Sequence, residues 1–228
     1  MEIAGLQKLT LLDYPGRIAC TVFLAGCNLR CPFCHNASLV LPDRIPPQMT
    51  QDALLEFLQS RKRKLDGVCI TGGEPTIHPE LPQLIAAIRE LGFPVKLDTN
   101  GTRPQVLRTL LEQGLLDYVA MDIKNSPANY VRTCGGKDYL SQVQQSVALL
   151  ETSGIDHEFR TTVFHPDHTP EDLVQIGQWL QGTEKYYIQQ FVNSGDLIGS
   201  GTALTPEEMT ALLEAVKPYI PNAQLRGI

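Results

Sequence analysis

Residues 67–92 read GVCITGGEPTIHPELPQLIAAIRELG, and this stretch decides the fold class. Gly67–Thr71 is a short apolar run of the kind that makes a buried strand, and Gly72-Gly73 breaks it. From Leu81 the apolar positions change period. Leu81, Leu84, Ile85, Ile88 and Leu91 fall at i, i+3, i+4, i+7 and i+10, one face of a helix, and Gly92 stands where such a helix ends. Strand, turn and amphipathic helix make one βα unit.

The same alternation extends in both directions from this unit and recurs about six times. The strand candidates are Ile18–Leu24, Gly67–Thr71, Val95–Thr99, Tyr118–Lys124, Phe159–Val163 and Tyr186–Phe191. Each is followed by a loop and a segment of helical period, the pattern of an α/β protein with mostly parallel strands. Two helices announce their starts. Thr169-Pro170-Glu171 and Thr205-Pro206-Glu207-Glu208 each put a capping hydroxyl before a proline at the first helical position, and Glu208 completes a capping box. Pro42–Pro47 reads as a loop. Six units fit either an open doubly wound sheet or an incomplete (β/α)6 barrel, since a closed eight-unit barrel takes about 250 residues. Either way the site lies at the C-terminal ends of the strands. The reading is one domain over residues 1–228.

Composition narrows the function. The chain has 228 residues, 43% of them hydrophobic, and a net charge of −6, whereas nucleic-acid binding calls for a concentrated basic surface. The basic run Arg61-Lys62-Arg63-Lys64 reads as a solvated helix C-terminus. No basic segment precedes an apolar run at the N-terminus, and the most apolar stretch near it, Ile18–Ala25, is too short to span a bilayer. The expectation is a soluble cytoplasmic protein with neither nucleic acid nor membrane as partner.

Three of the six cysteines fall in Cys27-Asn28-Leu29-Arg30-Cys31-Pro32-Phe33-Cys34, the spacing C-x3-C-x2-C. Thiols this close in one loop suit a metal centre better than disulfides. A structural zinc ion wants four ligands, and Cys20, Cys69 and Cys134 supply no second pair. Iron–sulfur ligation fits better: a four-iron cluster on three cysteines keeps one iron open to an external ligand. Cys20 and Cys69 alternate within strands as small buried hydrophobes. Cys134 reads as an incidental loop thiol, and His165 and His168 as solvated loop residues.

Cys27–Asn36, CNLRCPFCHN, followed by Thr71-Gly72-Gly73-Glu74-Pro75, resembles the radical S-adenosylmethionine superfamily, where such a cysteine motif is paired with GGEP on the second strand. Asp13-Tyr14-Pro15-Gly16, the CHN extension, Asp98-Thr99-Asn100-Gly101 and Asp122-Ile123-Lys124 are similar to the glycyl-radical-activating branch. The compact length and the Leu225-Arg226-Gly227 ending resemble activating proteins of anaerobic ribonucleoside-triphosphate reductase.

The resemblance implies the incomplete barrel, one [4Fe–4S] cluster on Cys27, Cys31 and Cys34, and S-adenosylmethionine as cofactor. It places Gly72, Gly73 and Glu74 at the methionyl group, the glycines letting backbone approach the ligand and Glu74 holding the ammonium. Phe33 lies beside the adenine and Asn36 contacts the cofactor. Asp98 and Asp122, with their neighbours Thr99 and Asn100, contact ribose or anchor a monovalent cation. Lys124 and Arg160 meet the cofactor carboxylate, and Gln190 stands where some activators have a histidine. The implied partners are a glycyl radical enzyme polypeptide and a flavodoxin- or ferredoxin-like reductant. Two other readings explain the cysteines: a radical enzyme acting on a small molecule, and a non-enzymatic iron–sulfur or zinc protein. The second of these gives Gly72–Pro75, Asp98 and Lys124 no purpose.

Overall fold

The computed structural model describes residues 3–45 and 49–227, so the last two residues of the Pro42–Pro47 loop, like Met1-Glu2 and Ile228, lie outside the described residues. Eight strands form one sheet in sequence order: β1 (Ile3–Thr10), β2 (Ala19–Leu24), β3 (Gly67–Gly72), β4 (Val95–Thr99), β5 (Tyr118–Asp122), β6 (Asp156–Val163), β7 (Tyr186–Gln190) and β8 (Gln224–Arg226). From β2 to β8 every pairing is parallel, and β1 runs antiparallel along β2.

The helices are α1 (Ala37–Val40), α2 (Gln51–Ser60), α3 (Leu81–Glu90), α4 (Pro104–Glu112), α5 (Tyr130–Thr133), α6 (Leu140–Ser153), α7 (Pro170–Trp179) and α8 (Pro206–Val216). The basic run follows the end of α2, beginning at its C-cap Arg61.

Strand order decides between the two architectures. A doubly wound sheet reverses direction at a switch point, which puts helices on both faces. This sheet has no reversal, so right-handed crossovers put the helices on one face and the sheet curls to enclose the other. The result is the incomplete (β/α)6 barrel with an added strand at each edge.

Alternation along the strands separates two interiors. Val95, Leu97, Val119, Met121, Phe159 and Val163 join the apolar core with Leu81, Leu84, Ile85, Ile88, Leu107, Leu110, Val143 and Val147 from the helices. The intervening Asp98, Asp122, Arg160 and Thr162 line an inner cavity instead. Both predicted N-caps form. Thr169 and Thr205 accept from the backbone N–H of Asp172 and Glu208, and Asp172 gives α7 the same reciprocal box as α8.

Candidate active site

The cysteine loop leaves the end of β2 and is held at its root by β3. The backbone N–H of Gly73 donates to Leu24 O at 2.9 Å, and that of Glu74 to Gly26 O at 2.8 Å. A Cβ at Gly73 would lie 1.9 Å from Gly26 O, and one at Gly72, whose φ is +122°, 2.3 Å from Leu24 O. The glycines are therefore needed for the approach of the cysteine loop's own backbone. Both glycines also line the cavity, so the close packing of the loop and an approach of their bare backbone to a ligand are compatible.

Glu74 is fully buried beneath this junction. Its Oε1 accepts from Thr76 N, from the Thr76 hydroxyl and from Thr99 Oγ1, and its Oε2 accepts the backbone N–H of Asn100 at 2.6 Å. Burial pushes its pKa up despite these bonds. Glu74 thus ties the end of β3 to the end of β4. Asn100 reaches back in turn: its amide donates to Asn28 Oδ1 at 3.1 Å and lies 3.9 Å from Cys27 Sγ. Asn28 donates to Thr102 Oγ1 at 2.7 Å.

The loop is held from a third side by the segment after β5. Arg30 N donates to Cys134 O, Lys137 Nζ donates to Asn28 O, and a Cβ on Gly135 would strike Arg30 O. Cys134, far from an incidental loop thiol, is fully buried against the hydrogen-bonded Cys31 side chain.

Cys27, Cys31 and Cys34 line one cavity of about 530 Å³ at the C-terminal ends of the strands. Among the described residues no three His, Cys, Asp or Glu groups gather around a single-ion position. Burial pushes the Cys27 thiol up to about 12 and the Cys34 thiol up as well; for Cys31 the hydrogen bond with Cys134 and burial act together. Such thiols ionise when a positively charged centre compensates them. Three thiols facing one cavity, Cys31 buried and Cys27 and Cys34 half-buried, in a loop pinned on three sides fit a [4Fe–4S] cluster, with Cys27, Cys31 and Cys34 as its holders.

Below them lies a charge cluster. Arg160 bridges two carboxylates, Nε to Asp122 Oδ1 at 2.6 Å and Nη2 to Asp98 Oδ2 at 3.0 Å. Lys124 Nζ takes Asp122 Oδ2 at 2.9 Å, and Lys96 Nζ takes Asp98 Oδ1. Burial alone would raise both acids, but Arg160 with Lys124 holds Asp122 well below the carboxylate range, and Arg160 with Lys96 depresses Asp98. Arg160 and Lys124 are correspondingly raised, their carboxylate partners outweighing burial. Lys96 escaped the sequence reading. Its signal was the Lys96–Asp98 alternation inside an otherwise apolar strand, which puts both on the inward face. Cys69 also faces this cluster, 3.8 Å from both Lys96 Nζ and Asp98 Oδ1, so it is a polar neighbour as well as a small buried residue.

The remaining wall is mixed. Phe33 is buried and stacks on Phe164 with ring centroids 4.5 Å apart, and Lys124 Nζ lies 5.9 Å from its centroid. Asn36 stands at the N-cap of α1 without a side-chain capping bond and lines the cavity. Thr99 also lines it, with its hydroxyl engaged on Glu74. Gln190 is occupied: its amide donates to Leu204 O at 2.7 Å and accepts from Leu204 N at 3.2 Å. Gln189 lines the cavity beside it.

Of the two histidines, His168 is withdrawn from solvent, whereas the His165 side chain remains partly exposed. His168 is buried, with Nε2 2.9 Å from Lys124 O, and burial lowers its pKa; it braces the strand end that carries Lys124. His165 pairs with Glu208 at 3.0 Å. At the opposite end of the barrel Arg226 makes a two-pronged ion pair with buried Glu158, at 2.7 and 3.0 Å, and lies over the Tyr187 ring.

The profile of the Radical SAM superfamily matches residues 21–180. Over 99% of this chain and 96% of the relative, the sequence is 32% identical to a Methanocaldococcus jannaschii protein whose name assigns it provisionally to glycyl-radical enzyme activation. It is 29% identical to the pyruvate formate-lyase-activating enzyme of Clostridium pasteurianum, over 63% of each chain. Among solved structures, Streptococcus suis SuiB bound to its precursor peptide SuiA superposes with a TM-score of 0.71 at 15% identity, a likeness of fold. The match covers 91% of this chain and about half, 48%, of the SuiB chain.

Proposed function

The chain belongs to the Radical SAM superfamily, and from that premise we propose that it activates a glycyl radical enzyme. In this reading Cys27, Cys31 and Cys34 would hold a [4Fe–4S] cluster which, with S-adenosylmethionine bound beside it and one electron from a reductant protein, would supply the radical chemistry that removes a hydrogen atom from a partner's glycine. The observation that carries the proposal is that the three thiols and the Asp98–Arg160–Asp122–Lys124 cluster face one cavity.

The chain's own residues then act by positioning and charge. Arg160 and Lys124 meet the methionyl carboxylate, Asp98 and Asp122 hold the cations in place, and Asn36 and Phe33 contact the nucleoside side. Glu74, with its carboxylate committed to Thr76, Thr99 and Asn100, presents the turn around Gly72-Gly73 to the ammonium. No side chain is required as a general acid or base.

Among the described residues the sheet is open between β1 and β8, which supports a substrate that arrives as a polypeptide loop. Anaerobic ribonucleoside-triphosphate reductase is the first partner to test. The Leu225-Arg226-Gly227 ending speaks little to that choice, because Arg226 is engaged inside the barrel with Glu158. The reductant is a flavodoxin- or ferredoxin-like protein, and the compartment is the cytoplasm, in keeping with six unpaired cysteines. No helix among the described residues is long and apolar enough to cross a membrane.

The test is anaerobic reconstitution with S-adenosylmethionine and a strong reductant, scoring 5′-deoxyadenosine in the wild type and in Cys31→Ala. Candidate partners are then added and the glycyl radical sought by electron paramagnetic resonance. Product that disappears in the variant, with a radical on the partner, is the expected result. Product without any glycyl radical, while a small metabolite is consumed, would replace the protein substrate by a small molecule.

A further inference from the structure

The Asp98–Asp122 pair is where the family resemblance allows a monovalent cation, and the structure disagrees. A hard cation is held by oxygen ligands that it shares with few competitors. Here all four carboxylate oxygens already accept from cationic side chains: Asp98 Oδ1 from Lys96, Asp98 Oδ2 and Asp122 Oδ1 from Arg160, and Asp122 Oδ2 from Lys124. An entering metal ion would displace one of these donors and lie against the others. Lys96 is 1% exposed and sits on β4, with Cys69 beside it, so its ammonium cannot swing out to solvent to make room.

We propose that Lys96 is a tethered counter-cation, which together with Arg160 and Lys124 lets this site bind S-adenosylmethionine without any metal cation. The charges support this directly. Within this cluster two carboxylates face three permanent cations, so the cluster itself carries one positive charge to offer the carboxylate of the cofactor, while Asp13 and Glu74 line the cavity elsewhere. A buried site with that surplus recognises an anion more strongly than a neutral one would. Lys96 acts through Asp98 and Arg160, so it is a positioning residue. It keeps Asp98 from drawing the Arg160 guanidinium fully onto itself.

This proposal rests on the reading that the cavity holds S-adenosylmethionine. The test is calorimetric binding of S-adenosylmethionine to the anaerobically reconstituted protein, at matched ionic strength, in tetramethylammonium, sodium, potassium or magnesium salts. The wild type is expected to bind equally in all four, within about twofold. A saturable requirement for sodium, potassium or magnesium overturns the proposal. Lys96→Met, which keeps the volume and removes the charge, is expected to bind about tenfold more weakly at unchanged cluster content. Lys96→Ala, which also leaves room, is expected to recover affinity with potassium or methylammonium, a rescue that a purely structural lysine would not show. Wild-type affinity in Lys96→Met also overturns the proposal. If either variant fails to fold, the wild-type salt series decides alone. Absence of binding in every salt would instead bring down the cofactor reading beneath it.

Discussion

The backbone N–H of Asn100 donates to Glu74 Oε2 at 2.6 Å, so the loop that ends β4 is tied to the loop that ends β3 through a carboxylate with no solvent contact. The donors around Glu74 are two hydroxyls and two backbone N–H groups, and an amide in its place would turn an NH2 toward one of them. Glu74→Gln is expected to lose about 2 kcal/mol of stability through the donors left unpaired, and to retain less iron per chain after reconstitution. Urea denaturation and iron analysis check both parts. Wild-type values for the variant would mean that the four bonds do not anchor the loop.

Gly73 and Gly92 offer a matched contrast. Gly92 has φ +93° with nothing within 4 Å of an added Cβ, whereas a Cβ on Gly73 meets Gly26 O at 1.9 Å. Gly92→Ala pays only for the backbone conformation, about 1 kcal/mol. Gly73→Ala has to push the cysteine loop away and is expected to cost about 3 kcal/mol or more, with loss of the cluster chromophore. Denaturation midpoints and visible absorbance of the reconstituted proteins distinguish them.

Asp98 and Asp122 give a signed pH dependence. Both have folded pKa values below the ordinary ~3.9, so their contribution to stability is full above about pH 4 and is lost as pH falls through the folded values. Removing Arg160 leaves burial to push both acids back up. The cluster-free Arg160→Met chain is therefore expected to lose stability at a higher pH than the cluster-free wild type. Urea midpoints followed on acidification check this, and coincident profiles would show that Arg160 does not set the two carboxylates.

Arg226 pins the last strand to the barrel through Glu158, whose side chain is 2% exposed while that of Arg226 is 34% exposed. Arg226→Met leaves the carboxylate buried without its partner. Allowing for solvent screening at the arginine, the loss is about 2 kcal/mol, and Glu158→Gln in the same chain is expected to restore part of it. A double-mutant cycle by urea denaturation measures the coupling. Strictly additive single effects would leave β8 held by its backbone pairing alone.

The sequence by itself determined the six parallel strands, the helical faces, both N-caps and the cysteine loop. These are local: strand alternation, helical period and capping chemistry act between residues a few positions apart. β1 and β8 escaped because Ile3–Thr10 carries Gly5 and an exposed Leu9 in a weak pattern, and Gln224–Arg226 is too short to have one. The barrel, which the motif resemblance implied but strand spacing left open against a doubly wound sheet, is fixed by strand order, and the docking of Gly73 on Gly26, the linkage of Glu74 to Asn100 and the joining of Asp98, Arg160 and Asp122 were decided only by tertiary structure. Those contacts, unlike the Lys96–Asp98 pair within β4, are made by residues on different strands or loops, and which strands become neighbours is set by how the whole sheet curls. Spacing along the chain carries no record of that.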